Sequence, residues 1–375
     1  MTRALAAVAT LLLGATTASA SDTIRVALAE SVRAAEMRGA DIEVNELGAC
    51  AACPPGLAWR ADVVRASVSG PHVEIEGRRA PGFRLTSAQP IRLNGREYPA
   101  TLEVVRNGDG MAIVNELPFE DYVVGVLRAE TSERWPLETL RAQAIVARTY
   151  AAYHRTLNTG KPYHIVASTV HQVYAGRVAA TSPIWAAVRD TAGRVLLWEG
   201  ELFPAFYHSA SGGFTEDPRT VFAARNMPQL KAIRDEFSGG APNFYWGLDL
   251  RLGELAEILR RNGVDVGSIT AIEVTERTPS LRASVVTVRG ARASARLRGN
   301  DFRRMVGYEI IRSTLFAVAV DGAVAHFAGR GYGHGVGMSQ WGAKGMAEKG
   351  YTAEKILEYY YPGARLGSLE RASTQ

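Results

Sequence analysis

Residues 117–150 read LPFEDYVVGVLRAETSERWPLETLRAQAIVARTY, and this stretch decides how the chain divides. Tyr122, Val123, Val126 and Leu127 recur at helical spacing, so a short helix is expected from Glu120 to Ala129. Pro136 and Glu138 mark the start of a stronger helix reaching about Tyr153, because a ring-fixed φ and a carboxylate both suit a first turn. Leu137, Leu140, Ala144, Ala147 and Ala151, spaced 3, 4, 3, 4, form its core stripe. Three alanines in the stripe imply close approach of whatever covers it. Arg148 stands at the stripe's edge, where a guanidinium near an apolar core requires an anionic partner. Ala129 to Pro136 is then a loop held between rigid elements, a favoured place for reactive groups. Within it Glu130 ends an apolar helix and precedes Trp135. Partial desolvation would raise its pKa and make it a general acid near neutral pH. An ordinary solvated carboxylate is the plainer reading, and the residues alone leave both open.

On the N-terminal side, residues 22–115 alternate or run apolar between turns, as at Thr23–Ala29 and Val63–Ile75. Asn94-Gly95 is a hairpin signal and Asn107-Gly108-Asp109-Gly110 another turn. On the C-terminal side, helices are expected at Gly253–Arg261, at Asp301–Val306 capped by Asn300, and after Thr352 up to Pro362-Gly363. Strands are expected at Ile269–Glu276, Ser284–Arg289, Phe316–Val320 and Ala323–Phe327. Without regular βα alternation the expected class is α+β, with mixed helices and antiparallel strands and a β-rich N-terminal part.

The first 20 residues carry Arg3, an apolar run from Ala4 to Leu13 and the small-x-small site Ala18-Ser19-Ala20. This is the pattern of a secretory signal, and the expected location is the periplasm, cell wall or extracellular space. The expected divisions are a signal at 1–20, a β-rich part at 21–115, a second unit at 116–366 and a tail at 367–375. A formal net charge of +5 with no block of five or six consecutive Lys/Arg residues excludes the usual nucleic-acid footprint. Cys50 and Cys53 form a C-x-x-C pair followed by Pro54-Pro55-Gly56, which opposes the helix of a redox motif. A small local disulfide between them is expected in an oxidising compartment.

Two further stretches have the composition of sites. In Phe206-Tyr207-His208-Ser209-Ala210-Ser211-Gly212-Gly213, either the glycines let backbone approach a ligand that His and Ser side chains bond, or the stretch is a structural turn. A serine nucleophile lacks the G-x-S-x-G elbow. From 329 to 337 glycine occupies every second position, before Met338-Ser339-Gln340-Trp341. Strand-like alternation would bare one backbone face to an extended ligand, with Tyr332 and Trp341 stacking on sugar rings and His334 and Gln340 bonding hydroxyls. A glycine strand packed on another backbone is the equal alternative.

Taken together, residues 117–150, HQVYAG (171–176), FYHSASGG (206–213) and GHGVGMSQWGAKGMAEKGYTAEKILEYYYPG (333–363) resemble the SpoIID/LytB family of sporulation and amidase-enhancer proteins. Four blocks in the family's order cover most of residues 100–366, while 22–99 fit loosely. The resemblance implies an α+β fold around a carbohydrate-binding groove, action on peptidoglycan, and lytic transglycosylase activity on strands stripped of stem peptides. It places the catalytic glutamate on Glu130 and substrate contacts on Arg148, Gln172, Tyr174, Tyr207, His208, Ser211 and Gly212, to which the reading above adds His334 and Gln340. It implies peptidoglycan strands as partner and, for enhancer members, an N-acetylmuramoyl-L-alanine amidase. The family's Met-Pro after the glutamate is Thr131-Ser132 here. Some members bind zinc just before Q-V-Y, but this chain has His164 and His171 there without a cysteine, so neither metal nor cofactor is expected. The rivals are a non-catalytic enhancer of an amidase, which needs the groove but not Glu130, and a serine hydrolase built on His208 with Ser209 or Ser211.

Overall fold

The computed structural model describes residues 23–48, 58–99, 101–169, 171–222 and 226–372. The expected signal and the expected Cys50–Cys53 disulfide lie outside the described residues. Eleven strands build one large sheet. They are β1 (Thr23–Val32), β2 (Ala34–Leu47), β3 (Trp59–Ser69), β4 (His72–Ile75), β5 (Arg78–Ala80), β6 (Gly82–Thr86), β7 (Ile91–Leu93), β8 (Arg96–Tyr98), β9 (Thr101–Asn107), β10 (Gly110–Pro118) and β11 (Ile165–Val166). The path runs β11-β1-β10-β9-β6-β2-β3-β4-β5, with the β7–β8 hairpin attached to β2. Asn94 and Gly95, at φ 50° and 79°, turn that hairpin as their sequence requires. Among the described pairings only β1–β11 is parallel in this sheet.

Every residue of β10 from Gly110 to Asn115 is buried, so both faces of this strand are covered. It runs directly into α1 (Phe119–Glu130), whose first turn holds Glu120 and Asp121 and whose last holds Arg128, matching the helix dipole at both ends. After the 131–136 loop, α2 (Leu137–Leu157) follows. Its alanine stripe does meet the sheet: Leu140, Ala144, Ala147 and Ala151 share one core with β1, β10 and α1. The opposite side is buried as well, with Ala142, Ile145 and Val146 in a second core. The helix is therefore an inner element rather than an amphipathic surface one, and Leu137, expected in the stripe, is 40% exposed.

The chain continues through α3 (Ile184–Asp190), β12 (Arg194–Trp198), β13 (Glu201–Leu202), β14 (Tyr207–His208) and α4 (Pro218–Phe222). A separate apolar core then gathers β15 (Tyr245–Arg251), α5 (Leu252–Arg261), β16 (Ile269–Arg277), β17 (Ala283–Gly290), β18 (Ser294–Arg298), α6 (Gly299–Val306), β19 (Phe316–Asp321) and β20 (Val324–Arg330). These strands form two three-stranded antiparallel sheets, β15-β20-β19 and β16-β17-β18. Arg298 rather than Asn300 precedes α6, and no side chain caps it. The chain then returns to the second core with β21 (Met338–Ser339), α7 (Gln340–Glu348), α8 (Ala353–Tyr360) and β22 (Arg365–Ser368), and α9 (Leu369–Ala372) sets Leu369 against the first. Thr352 caps α8 by accepting from the Lys355 N–H, and β22 pairs with β12. The whole is a strand-rich α+β protein with antiparallel sheets.

Candidate active site

Helix α1 ends on Glu130, which is half-buried. Its Oε1 accepts a hydrogen bond from the Val173 N–H at 2.8 Å, and its backbone carbonyl accepts from Gln340 Nε2 at 3.2 Å. Gln340 opens α7, so the end of α1 and the start of α7 are fastened together across 210 residues of chain. The Tyr207 hydroxyl and the Gln340 amide lie near the carboxyl and favour its charged form. Burial pushes the Glu130 pKa up, and the Val173 N–H bond, with Gln340 and Tyr207 close by, opposes that only in part. No second carboxylate is among the groups that set it.

A chain of buried side chains supports this carboxyl. Tyr122 donates to Gln172 Oε1 at 3.0 Å, and Gln172 Nε2 donates to the Ala147 carbonyl at 3.3 Å and to the Tyr207 oxygen at 3.2 Å. Because Tyr207 accepts from Gln172, its own proton is free for another acceptor. Gln172 and Tyr207 thus stand in the network beside Glu130, and so does Tyr122, which on the sequence is one more apolar position of a helix stripe. Trp135 and Trp341 meet edge to face at 5.2 Å, both half-buried, beside the two helix ends that hold Glu130.

Other expected contacts are placed differently. Arg148 has no exposed surface and grips Glu120 bidentately, Nε to Oε1 at 2.9 Å and Nη2 to Oε2 at 2.6 Å, with Nη1 donating to the Arg194 carbonyl at 3.1 Å. The anionic partner its position demanded is therefore Glu120 rather than a ligand. Tyr174 is buried, donates to Asn115 Oδ1 at 3.1 Å and packs so tightly on Gly125 that a Cβ there would lie 2.2 Å from its ring. The Ser211 hydroxyl is sealed with Asp235 at 2.6 Å and Ser238 at 2.9 Å, and bonds no histidine. That geometry removes Ser211 as a histidine-activated nucleophile. Gly212, at φ +74°, lies against the backbone of Arg330 and Gly331.

The glycine-rich stretch is not a strand beyond Arg330. Gly331, Gly333, Gly335 and Gly337 all have positive φ, and added Cβ atoms would meet Ala210 O at 2.6 Å, His208 Cβ at 2.8 Å, Arg282 Cζ at 2.6 Å and Phe206 O at 1.9 Å. The glycines let this segment wrap the 206–216 stretch, so the packed alternative holds and the bared ligand face does not. Within the wrap, His208 donates from Nδ1 to the Val336 carbonyl at 3.1 Å and His334 Nδ1 accepts from the Val336 N–H at 3.0 Å. Burial first, then Arg303 and Arg282, pushes His334 down to about 3, so its ring is neutral with the proton on Nε2. Burial likewise holds His208 neutral, well below its ordinary value. His334 is half-buried and His208 buried, their rings 5.6 Å apart.

Among the described residues no three His, Cys, Asp or Glu side chains are grouped to hold a metal ion. His171 faces His154 with ring centres 4.8 Å apart, and His164 Nδ1 accepts from the Arg25 N–H at 3.1 Å.

Residues 107–198 match the family described as Stage II sporulation protein, and residues 217–337 match a domain of unknown function, DUF8618. An uncharacterized protein of Brachyspira hyodysenteriae is 33% identical over 296 residues, covering 78% of each chain. Stage II sporulation protein D of Bacillus amyloliquefaciens is 28% identical, covering 73% of this chain and 81% of its own. The amidase enhancer of Bacillus subtilis is 30% identical over 65% of this chain, which spans 40% of that longer protein. A strand-rich α+β frame presenting one desolvated carboxyl at a helix end is thus the class to which this protein belongs. The chain is a member of the SpoIID/LytB family.

Proposed function

We propose that this protein is an exported enzyme that cleaves peptidoglycan glycan strands as a lytic transglycosylase, with Glu130 as acid and then base. The observation that carries the reading is the Glu130 carboxyl, its pKa raised by burial while the Val173 N–H holds one oxygen and Gln340 fastens its backbone carbonyl. Protonated Glu130 gives its proton to the glycosidic oxygen as the bond from MurNAc C1 breaks, and the GlcNAc end leaves as an alcohol. The resulting carboxylate takes the proton of the MurNAc C6 hydroxyl, whose oxygen closes on C1. A 1,6-anhydro end forms, Glu130 regains its proton, and no water is consumed. Hydrolysis would need a second carboxylate at a set separation. Glu133 is engaged with Ser182 at 2.8 Å, and Asp121 faces a different cavity beside Trp185 and Arg177. A groove passing Trp135, Trp341 and the neutral His334 would seat the sugars, with strands lacking stem peptides as substrate. Digestion of such strands followed by mass spectrometry tests the reading: anhydro ends are expected, and they should vanish in Glu130→Gln.

The second reading is non-catalytic stimulation of a cell-wall amidase, favoured by the 30% identity to a protein named amidase enhancer. It predicts no cleavage by the purified protein and faster amidase turnover in its presence, with or without Glu130→Gln.

A further inference from the structure

The β15–β20 unit takes no part in the reaction above, yet its three-stranded sheet carries a cavity of about 610 Å³, within the range of small-ligand sites. Tyr245 and Trp246 of β15, Phe316 of β19, Arg330 of β20, and Arg277 and Leu281 near the β16–β17 turn line it. Three features there suit a ligand.

The first is charge. Two guanidinium groups and no carboxylate line the cavity. Arg277 is held by the Leu281 and Phe316 carbonyls at 2.8 and 3.0 Å, which position its charge without cancelling it. Arg330 commits its backbone, the N–H to the Leu315 carbonyl and the carbonyl to Ser313, and its guanidinium forms no ion pair among the described residues. The second is an aromatic platform. Tyr245 is 73% exposed and lies directly opposite Arg330 in the β15–β20 register. Beside them Gly247, Ala328 and Ala317 align across all three strands, a flat floor without bulky side chains. The third is strain. Leu281 adopts φ +65° and is 50% exposed, an unfavourable backbone for a bulky residue. Its turn is clamped by buried Glu216, whose Oε2 accepts from Thr278 and Ser280 at 2.6 Å each, so the leucine is fixed at the rim.

We propose that this groove is a second binding site, for an acidic saccharide. The pyranose face lies on Tyr245 and Leu281, and the sugar carboxylate meets Arg330 and Arg277, whose planar forks suit a carboxylate bidentately. The cavity spans the face of the sheet rather than running along an edge strand, so a peptide finds no unpaired backbone to extend. Strand β20 continues through Gly331 into the segment that ends at Gln340 on Glu130, so the groove and the carboxyl sit at the two ends of one fixed stretch of chain. The saccharide assignment rests on the glycan reading above, whereas the groove's preference for an anion rests on its own residues.

Calorimetric titration of the mature chain carrying Glu130→Gln, which leaves the ligand intact, tests this. The probes are the GlcNAc–MurNAc disaccharide and neutral chitobiose. The acidic disaccharide should bind about tenfold more tightly, Tyr245→Ala should weaken both by about tenfold, and Arg330→Gln should erase the preference. Equal binding of the two sugars, or unchanged binding in both variants, overturns the proposal, as does binding of an acidic tetrapeptide in place of either sugar. Cleavage assays separate this outcome from the catalytic reading. Undiminished cleavage by Glu130→Gln defeats the catalytic role without touching groove affinity, and normal sugar binding by the groove variants defeats the groove without touching catalysis.

Discussion

Replacing Glu130 by Gln should make the protein more stable, and increasingly so as pH rises. The amide keeps the shape and an oxygen to accept from the Val173 N–H at 2.8 Å, so the change removes the charge and little else. Burial raises the Glu130 pKa above that of the unfolded chain, so the folded state holds the protonated form more tightly. Stability from this group is present at acid pH, below the unfolded value, and is lost as pH rises through the folded one. Each unit of elevation corresponds to about 1.4 kcal/mol. For a chain of this size that is about 3 °C in melting temperature per unit. Thermal melts of both forms from pH 4 to 9 should therefore give curves that coincide in acid and separate towards alkali, with Glu130→Gln the higher. A gap independent of pH, or a less stable variant at high pH, would refute the claim that this carboxyl is desolvated.

Glu120→Ala leaves the sealed Arg148 guanidinium without its bidentate partner and should cost about 3 kcal/mol in urea unfolding, with KM for glycan unchanged in the folded protein. A raised KM at full stability would restore Arg148 to the substrate. Gly337→Ala would put a Cβ 1.9 Å from the Phe206 carbonyl at φ +71° and force the β14–β21 pairing apart. Its melting point should fall by the equivalent of at least about 2 kcal/mol. His334→Gln should lose less stability than the native protein as pH falls from about 6.5 towards 3, because the buried native ring is held neutral down to about 3 and resists protonation. Parallel acid-unfolding slopes would contradict that burial.

Much of the frame could be read directly. Asn94-Gly95 could hardly be anything but a hairpin turn, and the α1–α2 pair is written in the spacing of its apolar residues. The alanine stripe of α2 located one face but said nothing of the other, because there Ala142, Ile145 and Val146 are interspersed with Arg141 and Gln143. Alternating glycines misled for a physical reason: spacing of two is shared by a strand and by a segment of repeated left-handed turns, and only packing against His208, Arg282 and Phe206 decides. Arg148 announced its need for a carboxylate, yet the partner, 28 residues earlier, was indistinguishable from any solvated helix-start glutamate. The meeting of Glu130 with Gln340 spans 210 residues, and local pattern carries no signal of it. Family resemblance singled out Glu130, Gln172 and Tyr207, which lie together, and also Tyr174 and Ser211, which are buried against Asn115 and Asp235.

Cleavage of stem-peptide-free glycan in water enriched in a heavy oxygen isotope tests the central claim most directly. Intramolecular attack by the MurNAc C6 hydroxyl, with Glu130 passing one proton each way, leaves the new sugar ends free of the label. Incorporation of one labelled oxygen per cut, at the new MurNAc C1, would mean that water is the nucleophile and that Glu130 does not work alone.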